Sequence, residues 1–343
     1  MAQAAAAAAP TRPHPNPRVG ALVLDRAGSI VAQAAHEGPG LPHAERAALD
    51  TAAGRAAGGV LVVTLEPCVH HGRTPPCVDA IIAAGVAEVV VGAGDPDPRV
   101  AGRGIARLRT AGITVREGVA ADVVEAMDPG YFHHRRTGRP LVTLKEALTV
   151  DGQAAAADGT SQWITGREAR ADAHRLRAAA DAVVVGAGTV RADDPRLTVR
   201  LAGWDGPQPI PVVVAGSAPL PPDAAVFTRK ALVYAPRPLD VPAEVVVLPG
   251  ERGVDLAAMV RDLGERGMLD VLVEGGPTIA AAMLRAGLVD RAVVYLGALL
   301  AGGAGRGAFA GDFATLGDAV PVTVTGVRAL DGDVRLDLAV GPR

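Results

Sequence analysis

Strand-like and helix-like signals alternate along the first half of the chain. Residues 19–24 and 30–33 are short apolar runs around Asp25-Arg26-Ala27-Gly28, which predicts a hairpin. Residues 43–57 predict a helix stopped by Gly58-Gly59, and 60–64 a buried strand. A helix over 76–84 stopped by Gly85, a strand at 89–91, a helix over 104–110 and a strand at 113–116 follow. Sequential strand–helix–strand units imply an α/β layer fold. The pattern breaks at 131–140 into the polar, basic run YFHHRRTGRP, and the turn Gly138-Arg139-Pro140 marks a boundary between domains 1–138 and 139–343. Beyond it a second α/β series predicts strands at 141–147, 182–185, 212–214, 232–234, 271–273 and 292–296, with helices at 167–177, 256–266 and 278–286. The tail at 322–338 alternates apolar and polar residues around Asp331-Gly332, a hairpin signature. No internal repeat is visible, so the second domain is not a copy of the first.

Composition narrows the class. Of 343 residues 49% are hydrophobic and 21% charged, which suits a globular chain and not a disordered one. Aromatics are 3%, so the core rests on Val, Leu, Ile and Ala. A net charge of −3 excludes a globally basic nucleic-acid binder. No uncharged apolar run approaches the ~20 residues of a membrane helix. The Ala-rich opening lacks a positive leader and is not read as a signal peptide. Cys68 and Cys77 lie in one short segment, which points to a metal or redox role in a reducing compartment, with the cytoplasm as the expected location.

The two cysteines stand in a chemical context. His43-Ala44-Glu45 opens a predicted helix, Pro67-Cys68 follows a strand, and Cys77 comes nine positions after Cys68 at the next helix start. Imidazole and thiolate are good zinc ligands, and three protein ligands leave a fourth position for water. Bound zinc lowers that water's pKa from 15.7 to about 7. Glu45, two residues from His43 and not a ligand, is then placed to move protons. Zinc nucleobase deaminases share this H-x-E and P-C-x-x-C logic, here with eight residues between the cysteines in PCVHHGRTPPC. His70 and His71 compete as ligands on spacing alone, but Cys77 is softer and stands at a better-defined helix start. A buried cysteine pair with a surface histidine is the bland alternative.

HAE, TLEPCVHHGRTPPC and the early PNPRVG together resemble the deaminase half of the bifunctional riboflavin-biosynthesis deaminase-reductases, which insert extra residues between their zinc cysteines. The resemblance covers residues 15 to about 115. It implies a cytidine-deaminase-like fold, one zinc on His43, Cys68 and Cys77, and Glu45 as catalytic residue. The implied substrate is a 2,5-diamino-6-(5-phosphoribosylamino)pyrimidinone, whose exocyclic 2-amino group is replaced by oxygen. Asn16, His70 and Arg73 match polar residues of the family's pyrimidine and ribose-phosphate pocket. Three departures stand out: a short Ala-rich N-terminal helix broken by Pro10 and Pro13, Val69 in place of the common Ser, and Asp97 in DPDP where the family has DPNP.

In the second half KEALTVDG, SQWITG, GAGTV, RADDPRLTVR and VEGGPT follow in order. Singly they are weak: GAGTV lacks the third glycine of the dinucleotide fingerprint, and Trp163 suits a core as well as a site. A Gly-rich turn at a helix start does present free N–H groups to a phosphate. In this order the set resembles the family's reductase half, from Pro140 onward, which is similar to dihydrofolate reductase in fold and uses NADPH to reduce ribosyl to ribityl. The resemblance implies that Ala147, Trp163, Thr189, Asp193 and the loop Gly276, Pro277, Thr278, Ile279, Ala280, Ala281 and Ala282 meet NADPH. It implies that Ser161, Arg177, Leu197, Arg200 and Glu274 hold the substrate, with Lys145 and Asp151 orienting the reacting sugar and pyrimidine. Pro211 to Gly216 departs from the family's RVVLDS, so a cofactor contact there is missing or moved to Ser217.

The expected protein is thus a two-step enzyme with zinc and NADPH, a small-molecule substrate, no nucleic-acid or membrane partner, and a homo-oligomeric state. A nucleobase or tRNA deaminase fused to an unrelated reductase is the runner-up, although the first domain shows no basic, aromatic-bearing face. A catalytically silent ligand-binding or scaffold protein is the third reading, opposed by the intact HAE and PC…C.

Overall fold

The computed structural model describes residues 1–72, 75–310 and 315–341. It divides into two compact units, Met1–Gly138 and Arg139–Arg343, each a sheet packed against helices.

The first unit runs α1 (Ala2–Ala8), β1 (Gly20–Leu24), β2 (Ile30–Ala35), α2 (Ala44–Ala52), β3 (Val60–Leu65), α3 (Cys77–Ala84), β4 (Glu88–Ala93), α4 (Arg103–Thr110), β5 (Thr114–Arg116), α5 (Ala121–Met127) and α6 (Pro129–Thr137). Its sheet order is β2-β1-β3-β4-β5, with β1 antiparallel to both neighbours and the other pairs parallel. The hairpin forms at Asp25, whose Oδ1 accepts the Ala27 and Ser29 N–H groups. Helix α1 comes so close to β1 that a Cβ on Gly20 would lie 1.9 Å from the Ala4 carbonyl oxygen, an approach only glycine permits.

Two sequence expectations need correction here. The helix expected over 43–57 ends at Ala52, because Ala53 turns left-handed (φ 50, ψ 49) and Gly54 follows at φ 84. The alanines beyond have helix propensity, but the chain has already turned. Residues 131–137, read as a polar break, form α6. Tyr131 and Phe132 are buried, while His134, Arg135 and Arg136 fall in its last turn, where positive charge suits the helix dipole.

The second unit runs β6 (Leu141–Thr149), α7 (Arg167–Ala179), β7 (Ala182–Gly186), α8 (Ala187–Asp193), β8 (Ile210–Val214), β9 (Leu232–Ala235), β10 (Glu244–Val247), α9 (Leu256–Glu265), β11 (Asp270–Glu274), α10 (Pro277–Arg285), β12 (Arg291–Gly297), β13 (Val322–Leu330) and β14 (Asp333–Val340). These strands form a nine-stranded sheet in the order β10-β9-β8-β7-β11-β6-β12-β14-β13. Pairing is parallel from β10 to β12 and antiparallel at β14 and β13. Helices cover both faces, so the central strands read as unbroken Val runs. Val142, Leu144 and Val273 pack with Met259, Ile279 and Met283 on one face. Val183, Val185 and Leu272 pack with Leu176 and Val190 on the other. The final hairpin turns at Asp331 (φ 48) and Gly332 (φ 95). At the start of the unit, Arg139 forks onto Asp290 (Nη1 to Oδ2 2.8 Å, Nη2 to Oδ1 2.5 Å), and Asp290 Oδ2 also accepts the Val142 N–H at 2.9 Å.

Candidate functional site

In the first unit three helix and loop ends converge. His43 is the N-cap of α2, held extended (φ −66, ψ 156), and places Glu45 in the first buried turn. Cys77 opens α3 after Pro76. Cys68 sits in the loop after β3, and the Cys77 N–H donates to its Sγ at 3.3 Å. His43 Nδ1 lies 3.2 Å from Cys77 Sγ and 3.6 Å from Cys68 Sγ, and all three atoms are within 4.8 Å of one another. His70 lines the same cleft but stands outside this group, and His71 is exposed. Arg73 lies outside the described residues.

The charges follow from burial and proximity. Glu45, 3% exposed, is pushed up to about 7 by burial and by the neighbouring Cys68. The hydrogen bond from the Cys77 thiol draws Cys68 down to about 4, and Cys68 in turn raises His43. One nitrogen and two sulfurs at this spacing are a zinc donor set with room for a fourth ligand, so the residues present fit the metal.

A cleft of about 330 Å³ opens beside these residues and takes in Asn16, Glu45 and Cys68. The His36 ring lies edge-on to His43 at 5.1 Å. Its Nδ1–H donates to the Pro42 carbonyl (3.0 Å), which leaves Nε2 to accept from the Asn16 amide (2.9 Å). Burial lowers the His36 pKa, so the ring stays neutral and fixes Asn16. On the far wall the Tyr131 hydroxyl donates to Asp95 (3.0 Å), and Arg135 lies over the Tyr131 ring at 4.9 Å. Asp97, the departure noted above, is paired with Arg99 (2.6 Å), which holds it down to about 2. His36, Tyr131, Arg99 and Arg135 escaped the sequence reading. Only the DPDP run signalled that wall, and Tyr131 and Arg135 fell in the stretch read as a break.

In the second unit the expected residues gather at the carboxyl ends of the central strands. Lys145 on β6 and Glu274 on β11 stand opposite each other in register. Arg177 reaches Glu274 from α7 with two bonds (Nε to Oε1 2.5 Å, Nη2 to Oε2 2.7 Å) and donates to the Thr198 carbonyl at 3.0 Å. Burial opposes the charge on Glu274, yet Arg177 overcomes it and holds the carboxyl below its ordinary range. Arg177 is therefore already neutralised. His174, one turn earlier, accepts the Arg200 N–H at 3.3 Å and is brought down to about 4 by burial and by Arg177 and Arg200. Leu197 is buried in a left-handed conformation (φ 52), which is strained for a branched side chain. The Lys145 side chain makes no hydrogen bond or ion pair among the described residues.

Trp163 is not a core anchor: it is 64% exposed, with Arg170 over its ring at 4.4 Å. Ser161 lies two residues before it, half-buried. Asp151 ties down a loop, accepting from Thr149 Oγ1 (2.5 Å) and the Gly302 N–H (2.7 Å). Ala147 lies two residues beyond Lys145 on β6. GAGTV opens α8, and Asp193 ends that helix. Thr189 faces the loop before α10: a Cβ on Gly276 would lie 3.1 Å from its Oγ1. A Cβ on Gly188, Gly216 or Gly275 would meet nothing within 4 Å. This open, glycine-lined edge running into α10, whose run from Pro277 and Thr278 to Ile279, Ala280, Ala281 and Ala282 is small or apolar, fits a dinucleotide.

The fold and both sites define a class: a zinc-binding, cytidine-deaminase-like unit followed by a dihydrofolate-reductase-like unit. Residues 1–93 match the cytidine and deoxycytidylate deaminase zinc-binding region, and 140–336 match the RibD C-terminal domain. The chain is 47% identical over 292 residues to the riboflavin biosynthesis protein RibD of Mycobacterium tuberculosis, covering 84% of this chain and 81% of that one. It is 41% identical over 312 residues to the Escherichia coli RibD, covering 86% and 85%. The solved RibD of Acinetobacter baumannii superposes with a TM-score of 0.90 at 34% identity, over 99% of this chain and 96% of that one. A Thermotoga maritima diaminohydroxyphosphoribosylaminopyrimidine deaminase/5-amino-6-(5-phosphoribosylamino)uracil reductase gives 0.91 at 33%, over 99% and 97%. The chain belongs to the RibD family, the bifunctional deaminase-reductases of riboflavin biosynthesis, and its cofactors are zinc and NADPH.

Proposed function

We propose that the first unit hydrolytically deaminates 2,5-diamino-6-(5-phosphoribosylamino)pyrimidin-4(3H)-one to 5-amino-6-(5-phosphoribosylamino)uracil, and that the second reduces the ribosyl group of that product to ribityl. His43, Cys68 and Cys77 hold the zinc, which when bound supplies a Lewis acid that activates water. Glu45 takes a proton from the attacking water and returns it to the exocyclic amine, which leaves as ammonia. Asn16, fixed by His36, orients the pyrimidine, and His70 on the cleft wall meets the ribose phosphate.

In the second unit NADPH, when bound, supplies hydride to C1′ of the sugar. Lys145, unpaired beside Glu274, donates the proton taken up as the sugar ring opens. Arg177 keeps Glu274 charged and in place to orient the substrate. Arg200, without a carboxylate partner among the described residues, meets its phosphate. Ser161 and Leu197 line the substrate and Asp151 secures the loop beside it. Ala147, Trp163, Thr189, Asp193 and residues 276–282 receive the cofactor.

The observation that carries this reading is Glu45: a carboxyl 3% exposed, two residues from His43, facing the cleft that also holds Cys68. Incubation with the diaminopyrimidinone phosphate tests it, with products identified by mass. Without NADPH conversion should stop at the deaminated compound; with NADPH it should proceed to the ribityl compound. No ammonia release by zinc-loaded protein would reject it.

The chain also self-associates in this reading. Edge strand β13 leaves Val322, Val324 and Val327 49%, 56% and 63% exposed, a liability that pairing with a second copy removes. A monomer in sedimentation at micromolar concentration would reject this. We place the enzyme in the cytoplasm, where reducing conditions keep Cys68 and Cys77 free. No helix among the described residues is long and apolar enough to cross a membrane.

A further inference from the structure

The cofactor contacts proposed above run in one direction along the carboxyl edge of the larger sheet. Ala147 lies on β6, Gly276 follows the adjacent β11, and Thr189 and Asp193 stand on α8, which follows the next strand, β7. Neighbouring strands are ~4.8 Å apart, so β8, the strand beyond β7, lies roughly 14 Å from β6. A dinucleotide laid across strand ends with its nicotinamide at Ala147 therefore brings its adenosine end over β8 and β9.

There β8 runs out into the loop Ala215-Gly216-Ser217-Ala218-Pro219, exposed from Gly216 to Pro219. Gly216 offers no side chain, and the space a Cβ would occupy is open to beyond 4 Å. Two guanidinium groups reach this loop from separate elements. Arg191 on α8 donates to the Pro219 carbonyl (3.4 Å), and Arg237, just past β9, donates to the Ser217 carbonyl (3.2 Å). Neither has a carboxylate partner among the described residues. Each keeps most of its five N–H donors. Both positive charges are carried to one short loop from either side, where an anion would find donors from two separate elements. The fork geometry of arginine suits phosphate.

We infer that Arg191 and Arg237 clasp the adenosine 2′-phosphate of NADPH and so set the preference for NADPH over NADH. The side-chain contact that Gly216 cannot make is supplied by the two arginines. This inference rests on the cofactor reading above.

The test is equilibrium binding of NADPH and of NADH, by calorimetry on the full zinc-loaded chain, for wild type, Arg191→Ala, Arg237→Ala and the double variant. Loss of one charge-assisted contact should weaken NADPH about 10-fold, and loss of both about 100-fold. NADH affinity should stay unchanged, so the ratio of the two collapses. Adenosine 2′,5′-bisphosphate should displace NADPH from wild type and fail to do so efficiently from the double variant. An unchanged NADPH-to-NADH ratio in the double variant overturns the inference and leaves the cofactor reading standing. Equal weakening of both dinucleotides also overturns it, because the arginines would then merely hold the loop. Failure of wild type to bind either dinucleotide overturns the cofactor reading itself.

Discussion

The two units solve the same problem, holding a phosphoribosyl pyrimidine, with sites of opposite construction. In the first, the three candidate ligand atoms of His43, Cys68 and Cys77 lie within 4.8 Å of one another at the starts of α2 and α3 and the loop after β3, and the Glu45 carboxyl is buried in the first turn of α2. In the second, the residues are spread along the edge of a nine-stranded sheet from Ala147 to Ala282, and much of that edge is open. A metal demands particular atoms at short range, so the first site is compact and chemically marked. A long cofactor demands room and backbone approach, so the second is assembled from small residues on many elements.

That contrast breaks most sharply at zinc. Cys68→Ala should lose metal and deamination together, whereas Glu45→Gln should keep the metal and lose deamination by about 10²–10⁴-fold. Both should still reduce the deaminated intermediate with NADPH. Metal analysis and separate assays of the half-reactions decide the matter, and loss of reduction in folded Glu45→Gln would dissolve the separation of sites. Arg177→Ala comes next. It strands the buried Glu274 carboxylate, at a cost of about 3–5 kcal/mol. Thermal unfolding of the second unit should fall steeply and reduction disappear, while deamination persists.

A smaller effect belongs to pH. Burial raises Asp95 from 3.8 to about 6, so the folded chain retains a proton that the unfolded carboxyl releases. The stability this confers is complete below about 3.8 and is lost as pH rises through about 6, by up to about 3 kcal/mol. Asp95→Asn should flatten that slope in denaturant unfolding of the first unit. Trp163→Ala should change stability least, by within about 0.5 kcal/mol, because the ring is 64% exposed. It should nonetheless weaken NADPH binding measured by titration; a marked loss of stability would return the ring to a structural role.

The same contrast explains what the sequence revealed. The grouping of His43, Cys68 and Cys77, with Glu45 buried in the same cleft, was legible because those atom types at that spacing mark a metal donor set. His36 and Tyr131 were not, since a histidine at a strand end and a tyrosine in a basic run carry no signature until the fold brings them to one cleft. Helix α6 was hidden because its charges cluster in the last turn. Helix α2 was overextended because alanine propensity does not report where Ala53 turns. In the second unit the strands were visible as Val-rich runs, although the edge strand β10 went unmarked. The cofactor contacts proposed at Ala147 and Gly276 have no chemical identity of their own and came only through resemblance. That Arg177 is committed to Glu274 could not be read from either residue alone.

The fork from Arg139 to Asp290 bears on how such a two-activity polypeptide can be parted. Arg139 is the opening residue of the second unit, yet its partner lies 151 positions downstream, in the segment between α10 and β12, and also takes the Val142 amide. Any scission on the carboxyl side of Arg139 discards this two-pronged fastening. One at Gly138, where α6 has already ended (φ 77), preserves it. Gene fission into separate deaminase and reductase chains, whether by evolution or by design, is therefore expected to keep this fastening when the cut falls at Gly138.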